Sequence, residues 1–215
     1  MGKELKIMMI IGAVVLGGGV LLAFKTNRPA TPQGQVGKNL LVRADSSATG
    51  SRDAKVMLVE FGDYQCPACG VADPTVEKII QDFQNNSNFS FVFRHFPLSQ
   101  HANALMASES AEAAGAQGKF WQMHTKLYQS QSQWSDQKNP IDTFAGYAQE
   151  LGLNVDQFKQ DVLAKKYADK ISQDQKDGLS VNLEATPTFF LNGVAAVGVP
   201  DYNNLKSEIQ AALAK

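Results

Sequence analysis

An apolar run, Val56 to Phe61, leads into Phe61-Gly62-Asp63-Tyr64-Gln65-Cys66-Pro67-Ala68-Cys69-Gly70, and a helical pattern starts directly after it. Strand, cysteine pair and helix in that order place Cys66 at the first turn of a helix. Free backbone N–H groups and the positive end of the helix dipole are found there, and both favour thiolate over thiol. Thiolate is the species that attacks a disulfide. The i, i+3 spacing puts both sulfurs on one helix face, within bridging reach. Pro67 suits a helix start, where its missing N–H costs little. The chain has only these two cysteines in 215 residues, so they form no disulfide scaffold, and they are too few for a Cys-only zinc site. The pattern points to thiol–disulfide exchange at Cys66 and Cys69, with no metal and no bound cofactor.

With 44% hydrophobic and 19% charged residues, most of the chain should fold around a core. Its net charge of −1 is unevenly spread. Residues 25–55 carry six Lys/Arg against two Asp, whereas residues 56–215 carry twelve against eighteen Asp/Glu. The folded part is mildly acidic and has no basic stripe, which argues against nucleic acid.

After a short tail, 1–6, residues 7–24 form eighteen positions without a charge. At about 1.5 Å per residue they span roughly 27 Å as a helix, enough to cross a bilayer core. No Ala-x-Ala-like cleavage site follows closely and no cysteine is available for lipidation, so an uncleaved single-pass anchor is expected. The flanking lysines and arginine are nearly balanced and do not set its orientation. The redox chemistry places the domain on the extracytoplasmic side of the cell membrane. Residues 25–39, with Pro29, Pro32, Gly34 and Gly37, read as a flexible spacer.

Beyond it, Leu40–Arg43 suggests an edge strand and Asp45–Asp53 a polar loop. Val56–Phe61 and Phe89–Phe96 read as strands, and the helix after Cys66 should run to Phe83 with a bend at Pro74. Five helical segments are expected: Ala102–Ala116, Lys119–Gln131, Ile141–Leu151, Val155–Leu163 and Lys166–Leu179. Thr188–Leu191, Asn192-Gly193 and Val194–Val197 spell a hairpin, and Asn203–Ala214 an amphipathic helix.

Glu60 falls inside the first strand. Burial there would raise its pKa and equip it to exchange a proton with Cys69. Pro187, after Thr186, leaves no N–H to tie up the neighbouring edge, so an extended peptide could pair there and present its cysteine to Cys66. Phe120, Trp121, Met123 and Leu127 have helical spacing and read as core; His95 and His101 read as structural or exposed.

These residues resemble the DsbA-like thiol–disulfide oxidoreductases of the thioredoxin superfamily, in particular its membrane-anchored bacterial members. The likeness runs through Val59 to Cys69, Arg94-His95-Phe96-Pro97-Leu98 with His101, Gln117 to Trp121, and Ala185 to Gly193. It implies an α/β thioredoxin-like domain built from 40–98 and 180–215, with a helical domain, 99–179, inserted between. It also implies catalysis by Cys66 and Cys69, Glu60 as the buried acid, Pro187 as a cis-proline, and substrate contacts from Thr186, Pro67 and Ala68. The implied substrates are cysteine-containing unfolded or extended polypeptides that gain disulfides, and the implied partner is a membrane protein that reoxidises the pair. A monomer is expected. One departure is Pro67-Ala68 between the cysteines, where strong oxidants of the family carry Pro-His. Without an imidazolium the helix N-terminus should carry most of the thiolate stabilisation, and the protein should be a weaker oxidant. A reductase or isomerase on the same fold, or a tethered peptide-binding chaperone with a structural disulfide, are the alternatives.

Overall fold

The computed structural model of the protein describes residues 35–215. The expected anchor, 7–24, and all of the spacer before Gln35 lie outside the described residues. Among the described residues no helix is long and apolar enough to cross a membrane.

In chain order the elements are α1 (Lys38–Leu41), β1 (Ser47–Ala48), β2 (Val56–Gly62), α2 (Pro67–Phe83) and β3 (Phe89–His95). The helices α3 (Ala104–Ala116), α4 (Phe120–Gln129), α5 (Gln131–Trp134), α6 (Ile141–Glu150), α7 (Val155–Leu163) and α8 (Ala168–Ser180) follow. The chain closes with β4 (Thr188–Leu191), β5 (Val194–Val197) and α9 (Tyr202–Leu213). The strands form one sheet in the order β1-β3-β2-β4-β5, with β2 and β3 parallel and the other pairs antiparallel.

Every residue of β2 and β3 is buried, as befits parallel strands covered on both faces. Alternation then sorts their side chains. Val56, Leu58, Phe91 and Phe93 join Val76, Ile79, Leu205 and Ile209 in one core. Met57, Val59, Phe61 and Val92 join Leu41, Phe96, Val181 and Phe190 in the other. Because strand side chains alternate with period two, Glu60 shares its face with Val56 and Leu58, the side covered by α2.

Two local expectations fail. Leu40–Arg43 is not an edge strand: the chain makes the short helix α1, and the edge strand is Ser47–Ala48 inside the expected polar loop. The cause is long-range, since the buried Arg94 guanidinium donates to the Leu41 carbonyl at 2.7 Å while Leu41 packs into the second core. The last residues of the expected spacer are also tied down. Val36 N donates to Gly193 O at 2.9 Å, and Gln35 Nε2 to Asn192 O at 2.7 Å.

Candidate active site

The turn between β2 and α2 is built on Asp63, whose side chain is fully buried. Asp63 Oδ1 accepts Gln65 N at 2.7 Å, and Oδ2 accepts Leu98 N at 2.8 Å and faces His101 Nδ1 at 2.6 Å. The Asp63 carbonyl takes Cys66 N at 3.1 Å. Gln131 Nε2 holds the carbonyls of Tyr64 and Cys66 at 2.7 and 3.0 Å. Cys66 is thereby fixed as the residue preceding α2, in extended conformation, with Pro67 opening the helix.

Cys66 is less open than expected for the attacking thiol: it is 7% exposed, against 0% for Cys69. Both are unbridged, so the pair stands in its dithiol form. As a thiol, Cys66 donates to Thr186 O at 3.4 Å and caps no backbone amide. Ionisation turns the sulfur into an acceptor. Its pKa then falls from 9.0 to about 5, first through the Cys69 thiol, against the opposing effect of burial. The Thr186 side chain and the N–H groups of Cys69 and Ala68 add to the lowering. The Thr186 hydroxyl is free for this, being buried with no other partner. The expected order of causes is therefore corrected: the helix N-terminus contributes, but the neighbouring thiol contributes more. The same proton explains the asymmetry of the pair. Burial, the bond to Cys66 and the nearby Glu60 push the Cys69 thiol far upward.

Glu60 is 2% exposed, and no described residue hydrogen-bonds its carboxyl. Burial first, then the charges of Asp73 and Cys66, hold its pKa well above the usual carboxylate range. The bare Cα of Gly62 makes room beside it. A Cβ there would sit 2.5 Å from Phe93 Cε2, 2.8 Å from Glu60 Oε1 and 2.9 Å from Tyr128 Oη. The Tyr128 hydroxyl is buried and has no partner among the described residues.

The peptide bond between Thr186 and Pro187 is cis, and Thr186 is buried against Cys66. Pro67 is exposed and Ala68 half-buried on the same turn. All seven sequence-selected site residues thus lie on three adjoining segments: the end of β2, the start of α2 and the approach to β4. Sequence reading left Asp63 and Tyr64, on the approach to Cys66, without a definite role, and it missed Asp73, His124 and Tyr128. Only Asp73 had a legible signal, since it follows Cys69 by four residues and shares its helix face.

The thioredoxin family model matches residues 43–211. The chain belongs to the thioredoxin family. The solved structure of BdbD from Bacillus subtilis, in oxidised form, superposes with a TM-score of 0.72 at 24% identity, covering 86% of this chain and 98% of that one. A probable disulfide bond formation protein D of Bacillus cereus is 28% identical over 184 residues, 83% of this chain and 84% of that protein. A protein named Na(+)/H(+) antiporter NhaA 1 in Salinispora arenicola is 38% identical over 166 residues, 77% of this chain. This thioredoxin-family chain spans about a quarter of the length of such curated relatives, 24% in that case. Helices α3 to α8 are inserted between β3 and β4, and the superposition shows that this arrangement is shared with the BdbD fold.

Proposed function

We propose that this DsbA-like thiol–disulfide oxidoreductase works as an oxidase, introducing disulfides into exported proteins from a membrane-anchored position outside the cytoplasm. The observation that carries this is the placement of Cys66: the residue, 7% exposed, stands at a helix N-terminus beside the carbonyl that precedes cis-Pro187, with Cys69 fully buried next to it.

In the oxidised protein a substrate thiolate attacks Cys66 Sγ. A substrate–Cys66 disulfide forms and the Cys66–Cys69 bond breaks. Its electron pair goes to the Cys69 sulfur, which takes a proton from Glu60. A second substrate thiolate then displaces Cys66, which leaves as a thiolate, and the substrate departs oxidised. Disulfide exchange with a membrane partner would return the pair to its starting state. Val197 and Val199 are 70% and 47% exposed on either side of Gly198, whose N–H bonds Pro187 O. Val71 on the first turns of α2 is 65% exposed. Such apolar rims suit unfolded or extended polypeptides.

A thiolate stable at neutral pH favours the reduced form and so makes the disulfide oxidising. A nucleophile titrating near 5 rather than 7 corresponds to about 2.7 kcal/mol, or roughly 60 mV. This favours the oxidase over the reductase reading in spite of Ala68. The length-matched Bacillus cereus relative bears a name of the same kind. The antiporter name belongs to much longer proteins, and no transport is proposed for this chain. The test is oxidation of a reduced, unfolded peptide by the oxidised protein. Cys66→Ser should lose at least a thousandfold in rate, and Cys69→Ser should accumulate mixed disulfides at Cys66. An active Cys66→Ser protein would refute the assignment.

A further inference from the structure

Ala68 offers the Cys66 sulfur no polar side chain. Beyond the Cys69 thiol and Thr186, the thiolate therefore relies on the amides of Cys69 and Ala68. These are the third and second positions of α2, whose N–H groups have no partner within the helix. A side chain on the preceding residue reaches both when its backbone is extended, and Cys66 has φ −69° and ψ 122°. The acidity of the thiol thus depends on how firmly the backbone of the turn is held.

Much of that hold comes from the inserted helices, through amide side chains. Gln131 opens α5, and its Nε2 donates to Tyr64 O at 2.7 Å and Cys66 O at 3.0 Å. Two acceptors on one side fix the NH2 group toward the turn. Cys66 O also takes Gly70 N at 3.2 Å, so Gln131 grips the carbonyl on which α2 starts. Gln65 reaches the opposite way: its Nε2 donates to Ser135 O at 2.8 Å and its Oε1 accepts Asn103 N at 2.6 Å. The Asn103 amide gathers the carbonyls of Ser135 and Gln137 at 3.1 and 2.8 Å. Trp134 anchors α5 from behind. It is fully buried, donates to Leu127 O at 2.9 Å and meets the Phe144 ring edge-on. Gly70 leaves room for the clamp. A Cβ there would sit 3.0 Å from Gln131 Oε1 and 3.3 Å from its Cδ and Nε2, so the bare Cα lets the amide lie against the first turn of α2.

We infer that Gln131 is a positioning residue for the redox reaction: through the Tyr64 and Cys66 carbonyls it holds the Cys66 sulfur over the amides of Ala68 and Cys69, so that the inserted helices set the reactivity of the thiol. The inference deepens the thiol–disulfide reading of Cys66 and rests on it. Without the clamp, Cys66 O keeps only Gly70 N, and rotation about ψ carries the sulfur away from a simultaneous approach to both amides. The thiolate loses stabilisation, the dithiol form loses it too, and the disulfide becomes less oxidising.

Thiolate absorbance and the pH profile of iodoacetamide alkylation, measured on the full-length reduced protein, read this effect. Gln131→Ala should move the Cys66 transition upward by about one pH unit. It should also shift the equilibrium with glutathione about tenfold toward the oxidised protein. Gln131→Met keeps the length and bulk without a donor and should move the transition as far. Gly70→Ala displaces the amide without removing it and should move the transition upward by less; added to Gln131→Ala it should change nothing further. Gln133→Ala removes a side chain bonded to Tyr147 rather than to the turn and should leave the transition in place. An unmoved transition in Gln131→Ala or Gln131→Met would overturn the inference, whatever the unfolding midpoint in urea. So would an equal movement in Gln133→Ala, which would mean a general loosening of α5, or additive shifts in the double variant. Should Gln131→Ala fail to fold, Gly70→Ala decides, and a transition at or below the wild-type pH would overturn the clamp. A wild-type Cys66 that titrates near 9 would instead remove the thiolate reading, and the clamp with it.

Discussion

Arg94 and Glu60 lie on neighbouring strands and are equally removed from water, at 0% and 2% exposure. They have opposite surroundings. Arg94 Nε donates to Asp174 at 2.7 Å, one terminal nitrogen to Asp177 at 2.6 Å and the other to the Leu41 carbonyl at 2.7 Å. Burial alone would raise the Asp177 carboxyl, but Arg94, with help from Gln173 and Arg43, holds it below the usual range. Glu60 has no such partner, and the hydroxyl of Tyr128 beside it is unpaired as well. A buried charge that is fully paired holds helices and strands in register. A buried acid left unpaired beside two thiols is costly to keep, and in the proposed exchange it is the group that gives Cys69 its proton.

Breaking the paired region should have the larger effect on stability. Arg94→Ala strands two buried carboxylates and should cost about 3–5 kcal/mol in urea unfolding. A smaller loss in Arg94→Met would show how much of that cost is uncompensated charge. The unpaired region should respond in the reverse sense. Glu60→Gln should raise the melting temperature at neutral pH, because a raised carboxyl pKa opposes folding above its ordinary value. It should also slow the Cys69-dependent step about a hundredfold. A stability loss like that of Arg94→Ala would erase the contrast. Gly62→Ala fills the space between Glu60 and Tyr128 and should destabilise by about 1–3 kcal/mol, with the Cys69-dependent step slower than in the wild type.

A pH series isolates the thiol itself. Cys66 has a lowered pKa in the fold, so its thiolate stabilises the reduced protein fully above its ordinary value of 9.0, and the contribution is lost as pH falls to about 5. Reduced wild type should exceed Cys66→Ser by about 2.7 kcal/mol at pH 7 and by almost nothing below pH 5.

Much of this was legible in the chain. Apolar runs, alternation and turn residues placed β2 to β5 and all the longer helices within a few residues, because each is locally encoded. Burial of Glu60 followed from its position in an apolar strand. What the sequence hid depends on contacts far apart in the chain. α1 replaces an edge strand because Arg94 draws on the Leu41 carbonyl. The short α5 gives no period of its own, yet it carries Gln131, which clamps the active-site turn. His124 and Tyr128 looked like members of an aromatic helix packed in a core. Only the packing of α4 against the turn after β2 brings them to Tyr64 and Asp73. Likewise the Thr186 carbonyl acquires its significance from Cys66, 120 residues earlier.

The most direct test is the ionisation of Cys66 in the reduced protein, followed by thiolate absorbance and by the rate of alkylation with iodoacetamide across pH 3–10, with Cys69→Ala as a companion. A transition near pH 5 in the wild type, moving upward when the Cys69 thiol is removed, is the predicted result. A Cys66 that titrates near 9, with or without Cys69, would contradict the account.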